Sequence, residues 1–347
     1  MICINGRFLT QKLTGVHRFA FEMCKALKRL GVDFVVIAPK NVISSYKCDF
    51  EVKTIGKTTG HIWEQMELPL YMRKEYKNTL LVSFTGLGPV FRKNHISTIH
   101  DLAFIVNPAW YSKTYTFYYK LMTPILARNA KKIITVSNYS KREISKIYPV
   151  LKDKIYVIYN ALSDMFTSIK VSESKPVEEY VLTVSSMDPR KNFPRLVEAF
   201  MRMDKVPHKL YIIGGRPANF EEIKFSNYSE DKIKFLGYVS DEKLVEYYKN
   251  ASLFVYPSLF EGFGIPPLEA MSQGTPILLS DIEVLREVSG DTAFYCDPYN
   301  VDDIAEKISY ILLNANEVEE KKKGYAEQLA RYSWDISASK LMNLIKE

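Results

Sequence analysis

Two glutamates, Glu261 and Glu269, frame a stretch built to hold an anion. Between them lie Gly262, Phe263, Gly264 and Ile265, followed by Pro266 and Pro267. Glycine lets the backbone approach a ligand with no Cβ in the way, and proline pre-sets φ for a first helical turn. The apolar run 253–255 reads as a buried parallel strand, ended by Pro257 and Ser258. A helix is expected to begin near Leu268, with Glu269 in its first turn. Such a strand–loop–helix junction aims N–H groups and a positive helix end at an anion. Glu269 by itself could merely answer the helix dipole. Glu261, set among Phe260, Gly262, Phe263 and Gly264, has no comparable local reason to be acidic.

A cationic pair stands at a similar junction. Arg190 and Lys191 follow the apolar run 181–184 and lead into a helical pattern over 192–203. A planar guanidinium fork beside a point-charge ammonium suits a diphosphate. Gly15 ends the N-terminal loop and opens an amphipathic helix over 15–30, where the backbone could approach a phosphate or a sugar. His17, on the same turn, reads as a surface histidine. His100 follows the run 97–99 and would sit at the carboxyl end of a strand. Gly214 and Gly215 follow the run 210–213, and Gly237, Tyr238 and Val239 follow 233–236, as further glycine turns. Ser137 is fully explained as a helix N-cap. No Asp-x-Asp occurs in the chain. Oxygen-preferring divalent ions on a nucleotide diphosphate need such ligands. The expectation is therefore no metal and no cofactor, with Arg190, Lys191 and a helix start meeting the charge.

These residues need elements to place them at strand ends. Apolar runs at 2–4, 34–37, 80–83, 97–99, 133–136 and 156–158 alternate with helical patterns such as 137–147. A second series follows at 181–184, 210–213, 233–236, 253–255, 276–279 and 293–295, with helices at 241–249 and 301–313. Alternation of this kind predicts an α/β protein with two Rossmann-like, doubly wound parallel-sheet domains. The carboxyl ends of both sheets would face one cleft. The domains are placed at residues 1–165 and 166–330, joined by a linker over 160–176. Residues 331–347 form a final helix.

Composition narrows the class. The 347 residues are 47% apolar and 25% charged, ordinary for a globular chain. No apolar run approaches the ~18 residues of a spanning helix. The N-terminus enters a strand directly, without a signal-peptide pattern. Cys3, Cys24, Cys48 and Cys296 lack C-x-x-C spacing and read as reduced packing residues. The chain is thus expected in the cytoplasm. Residues 1–170 hold 26 Lys+Arg against 11 Asp+Glu, a balance of +15, while the remainder is −8. A basic first half points to an acidic partner there. Aromatics and lysines mix over 104–132, from Phe104 and Trp110 to Lys131 and Lys132, a mixture suited to a bilayer headgroup region.

The stretch 261–271 resembles the E-x7-E signature of retaining glycosyltransferases of family 4, which have the GT-B fold. Thr14-Gly15-Val16 with Arg18-Phe19-Ala20 is similar to the opening phrase of members that build bacterial surface polysaccharides, several of them mannosyl- or rhamnosyltransferases. Thr98 to Leu102, Val136 to Ser140 and the region around Lys191 also resemble family phrases. So does Tyr332 to Asp335 before the last helix, which in the family crosses back onto the first domain. The resemblance implies that Glu269 holds the donor's ribose and that Glu261 and His100 grip the transferred sugar, with Asp101 orienting His100. It implies that Lys191 and Arg190 stabilise the departing diphosphate. Gly262, Phe263, Gly264, Ile265, Gly214 and Gly15 would also line the donor, and the backbone at Tyr238 and Val239 would read the base. Ser185 and Ser186 stand where the family has glycine and arginine, so Arg190 either replaces that arginine or only flanks the site. The implied partners are a nucleotide-sugar donor, a lipid-linked or oligosaccharide acceptor and an anionic membrane surface, with no nucleic acid. A nucleotide-sugar epimerase and a non-catalytic nucleotide-sugar-binding subunit are the rival readings.

Overall fold

Short apolar runs, most of them buried along their length, make the strands of two separate parallel sheets. A computed structural model describes residues 1–11, 15–44, 46–169, 178–203, 206–215 and 228–346. Thr14, and residues 170–176 of the expected linker, lie outside the described residues. The chain divides into two compact units. The first comprises residues 1–105, 114–160 and 333–347, and the second residues 106–113 and 161–332.

In the first unit the strands are Ile2–Asn5 (β1), Phe34–Pro39 (β2), Val52–Ile55 (β3), Leu81–Ser83 (β4), His95–Thr98 (β5), Lys132–Thr135 (β6) and Ile155–Val157 (β7). Their order is β3-β2-β1-β4-β5-β6-β7, every neighbour parallel. The chain winds outward from β1 through β2 to β3, then returns to lay β4 on the other flank of β1. That reversal puts a topological switch point outside the carboxyl ends of β1 and β4. β3 was not expected from the sequence. Its Lys53 and Thr54 are exposed, as an edge strand tolerates and even requires.

The helix Gly15–Arg29 buries Phe19, Ala20, Met23, Cys24 and Leu27, the three-and-four spacing of one face. The last helix, Trp334–Lys346, packs on it within the same unit. Phe19 meets Trp334 edge-on at 5.6 Å, and Lys132 Nζ donates to the Leu344 carbonyl at 2.7 Å. Arg29 reaches Asp335 at 2.7 Å, but both are exposed, so that pair contributes about 0–1 kcal/mol. Burial of Leu341 and Leu344, at about 1.5–3 kcal/mol each, is the larger hold.

The second unit contains Tyr180–Val184 (β8), Lys209–Ile213 (β9), Ile233–Gly237 (β10), Leu253–Tyr256 (β11), Ile277–Ser280 (β12) and Phe294–Cys296 (β13). The order is β10-β9-β8-β11-β12-β13, again parallel throughout, with the switch point between β8 and β11. Leu196, Val197 and Phe200 of the helix Phe193–Met201 share a core with Ile304, Ile308 and Ile311 of Val301–Leu313. The start of the expected linker is ordered structure. Met165–Ser168 is a helical turn whose Phe166 packs against Tyr248 at 5.8 Å.

Candidate active site

β11 ends in Tyr256, and the loop that follows carries Glu261 back toward the segment after β8. Leu259 N donates to the Arg190 carbonyl at 2.7 Å, and Asn192 Nδ2 donates to the Pro257 carbonyl at 3.0 Å. Asn192 adopts a left-handed φ of 61°, a conformation asparagine tolerates better than most side chains. These ties bring two sequence-distant residues into contact. Lys191 Nζ lies 2.5 Å from Glu261 Oε1 and donates to the Tyr256 hydroxyl at 2.7 Å. Both charged groups are buried. Burial alone would raise the Glu261 carboxyl, but Lys191 and then Arg190 hold it below the usual range. The Glu261 carboxyl is therefore ionised.

Arg190 is braced from the other side. Its Nε donates to Asp188 Oδ1 at 3.1 Å, and Ser186 Oγ donates to Asp188 Oδ2 at 2.9 Å. Asp188 is fully buried, so one guanidinium and one ammonium each sit against a fixed anion at the mouth of β8. Asp188 and Tyr256 escaped sequence reasoning. The only local hint was their position, an acid just before Arg190 and a tyrosine closing an apolar strand.

The helix after the loop is Ile265–Ser272, not one starting near Leu268. Pro266 and Pro267 stand inside its first turn, where their missing N–H groups would have found no helical partner. Glu269 is consequently one turn further in than expected. It is buried, and its Oε2 accepts from the buried Tyr248 hydroxyl at 2.8 Å. Gly264 precedes the helix at φ 97°, and a Cβ there would meet Leu285 at 2.7 Å. Phe263 turns into the core, edge-on to Tyr332 at 5.3 Å, and Gly262 beside it is buried as well. Ile265 is half-buried at the helix start.

The ends of β9 and β10 adjoin the same loop after β8. Gly214 N donates to the Gly237 carbonyl at 2.9 Å, and Met187 N donates to the Gly215 carbonyl at 2.9 Å. Tyr238 stands 77% exposed with its ring edge over Gly215, and Val239 follows it. Trp110 also belongs to this unit and faces Phe260, next to Glu261, at 6.4 Å. The carboxyl ends of β8 to β11 thus gather Lys191, Arg190, Glu261, Glu269 and the glycine turns. Fixed cations, glycine turns and buried carboxylates there could bind a diphosphate and a polyol.

His100 and Gly15 belong to the first unit. His100 Nε2 donates to the Phe84 carbonyl at 2.8 Å, which leaves Nδ1 as an acceptor. Burial pushes its pKa down, so the ring is neutral at pH 7. Asp101, next in the chain, acts on the ring through its charge, which opposes that shift. Its carboxylate accepts from Ala103 N at 3.0 Å and caps the next turn. Among the described residues, a Cβ on Gly15 would meet nothing within 4 Å beyond its chain neighbours and its own helical turn. Among the described residues no three His, Cys, Asp or Glu side chains are placed to hold a metal ion.

Comparison with known proteins gives this geometry a context. Residues 13–164 match the family model described as Glycosyltransferase Family 4, and residues 164–329 match Glycosyl transferases group 1. O-antigen chain mannosyltransferase B of Escherichia coli is 31% identical over 96% of each chain. O-antigen chain mannosyltransferase RfbU of Salmonella typhimurium is 27% identical over 99% of each. Among solved structures, WaaG, a glycosyltransferase involved in lipopolysaccharide biosynthesis, shares the fold with a TM-score of 0.73 at 12% identity over 99% of each chain. Anabaena HepE, solved with UDP and glucose, has a TM-score of 0.74 at 16% identity, covering all of this chain and 99% of its own.

Proposed function

Since the chain belongs to the family 4 type of glycosyltransferases, we propose that it is a retaining hexosyltransferase. It moves mannose, or a related hexose such as rhamnose, from a nucleotide-diphosphate donor to a glycan in surface-polysaccharide synthesis. The observation that carries the reading is the buried Lys191–Glu261 pair at the carboxyl end of β11, in a chain 31% identical to an O-antigen mannosyltransferase. Glu269 holds the ribose hydroxyls. Lys191 and Arg190 face the diphosphate, where negative charge grows as the bond breaks. The anomeric carbon loses its bond to the diphosphate oxygen and gains one to the acceptor oxygen on the same face. The acceptor's proton passes to the leaving phosphate oxygen, so nucleoside diphosphate and glycoside are the products.

Arg190 and Lys191 meet the leaving group's charge in this account without a divalent ion. Initial rates should therefore survive EDTA and gain little from added Mg²⁺ or Mn²⁺. Strict metal dependence would overturn that part of the proposal. The decisive assay incubates the chain with GDP-mannose and other nucleotide-hexoses, with and without a mannoside acceptor. Product formed only with acceptor, and with the donor's anomeric configuration by NMR, is expected. Conversion of donor without acceptor would mark an epimerase instead.

The acceptor is proposed to be lipid-linked and met at the inner face of the cytoplasmic membrane. No helix among the described residues is long and apolar enough to cross a bilayer. The support is a surface of the first unit. Ile62, Met66 and Leu70, four residues apart, are exposed along the helical run 60–75, and Phe117 and Leu121 along Lys113–Asn129. The His61 and Tyr118 rings lie 4.2 Å apart, tilted by 43°, so the two helical runs adjoin. Arg73, Lys74, Lys77, Lys120 and Arg128 are exposed on them or beside them. The aromatics expected at the headgroups are mostly packed: Phe104 is buried and Tyr115 stacks on Tyr119 at 4.3 Å. Aliphatic side chains and Phe117 are what that surface offers.

A further inference from the structure

The first unit contains a buried ion pair that the donor chemistry does not use. Arg7, just beyond β1, donates from one terminal nitrogen to Glu64 Oε2 at 2.7 Å. Glu64 is fully buried, and its Oε1 accepts from Asn5 Nδ2 at 2.8 Å. The same Arg7 nitrogen lies 3.3 Å from His61 Nδ1. The same Nδ1 lies 3.7 Å from Glu64 Oε2, so His61 joins the cluster through that nitrogen. Arg7 Nε is buried and meets no acceptor among the described residues.

Three observations separate this cluster from a packing accident. It stands at the carboxyl ends of β1 and β4, the switch point where open parallel sheets bind ligands. Glu64 lies in a π-helical turn, Trp63–Glu67, a widening that recurs at functional sites. Gly86, at φ 65°, leaves open the space over the pair, since a Cβ there would lie 2.9 Å from Arg7. A buried ion pair is also weak as a source of stability, because apolar replacements of like volume often hold a fold as well.

We propose that Arg7, His61 and the tyrosines beside them form the seat for an uncharged sugar ring of the acceptor, and this rests on the glycosyltransferase reading above. Glu64 cancels the charge of Arg7, so the seat offers directed hydrogen bonds without a net charge for a phosphate. With Nδ1 turned to the pair, the other ring nitrogen of His61 is the polar atom left for a hydroxyl. Tyr118 at 4.2 Å and Tyr119 at 6.1 Å from the His61 ring add an aromatic wall of the kind that packs against the apolar face of a sugar. Glu64 is a positioning residue, since it touches Arg7, Asn5 and His61 and is itself fully buried.

Saturation-transfer NMR on the full chain tests this with methyl α-mannoside and α-linked mannobiose as probes. Arg7→Lys keeps the charge beside Glu64 but removes the fork, and His61→Ala changes a part-exposed ring, so both variants should fold, with Tm as the check. The expected result is mannobiose binding to the native chain, weakened roughly tenfold or more in each variant, and insensitive to inorganic phosphate. Absence of binding by the native chain, equal binding by folded variants, or displacement by phosphate would overturn the proposal. The rise in Tm with GDP-mannose reads the second unit separately. A missing rise with mannobiose binding intact would sink the transferase reading and leave the sugar seat standing.

Discussion

Lys191 and Glu261 hold opposite charges 2.5 Å apart inside the second unit, and removing either strands the other. Lys191→Ala should cost about 3–5 kcal/mol of stability, because Glu261 is left buried without its counter-ion. The paired change Lys191→Met with Glu261→Gln should recover most of the Tm. Turnover should stay depressed by about a hundredfold or more, as for a lost transition-state partner. Thermal unfolding with initial rates separates the two effects, and recovery of turnover along with Tm would reduce the pair to scaffolding. His95 gives a second test at this scale. It is fully buried, Nε2 against Ser83 Oγ at 2.9 Å, and burial lowers its pKa to about 3. An unfolded histidine titrates at about 6.5. Between those values the unfolded chain binds a proton that the folded chain refuses, so stability falls as pH drops through that window and is whole above it. Urea unfolding at stepped pH should show this slope, and His95→Gln should flatten it. An unchanged slope in the variant would assign the acid sensitivity to other groups.

At the scale of elements, the glycines at strand ends do two different jobs. Gly214 sits at φ 150°, and a Cβ there would fall 1.7 Å from the Ser185 carbonyl oxygen. Gly214→Ala must push the turn after β9 away from the turn after β8, at a cost of at least about 1–3 kcal/mol of strain. Gly15 opens a helix, and a Cβ on it would meet nothing within 4 Å among the described residues beyond its own turn. Gly15→Ala should leave the Tm unchanged or slightly raised. A rise in substrate KM for that variant would then report on a ligand approaching the helix start, since the fold itself does not need the glycine. Equal Tm losses in both variants would contradict the geometry.

For the molecule as a whole, the question is where its basic half goes. Each Lys or Arg near an anionic bilayer contributes on the order of 1 kcal/mol, and Ile62, Met66 and Leu70 add apolar area to insert. Co-sedimentation with anionic vesicles at low salt is expected, fading as salt screens the charges. Replacing Ile62, Met66 and Leu70 by glutamate should abolish it without altering donor binding. Equal recovery in the supernatant with neutral and anionic vesicles would favour a soluble acceptor.

Local spacing along the chain was enough to determine the α/β class, the two parallel series and nearly every strand. A buried parallel strand must be a short apolar run, and such a run is visible without its neighbours. β3 escaped because an edge strand carries Lys53 and Thr54 for reasons that lie in what is absent beside it. Glu261, Glu269, Arg190 and Lys191 were legible as a candidate set because glycine and proline spacing marks strand–helix junctions. Their pairing was not. Lys191 and Glu261 are 70 residues apart, and Arg7 and Glu64 are 57 apart. Burial of a charge beside its counter-ion is a property of the packed chain, where low dielectric and a fixed distance decide which ionised form persists. Only the tertiary structure could turn Asp188, Tyr256 and Glu64 from ordinary polar residues into the anchors of fixed charges.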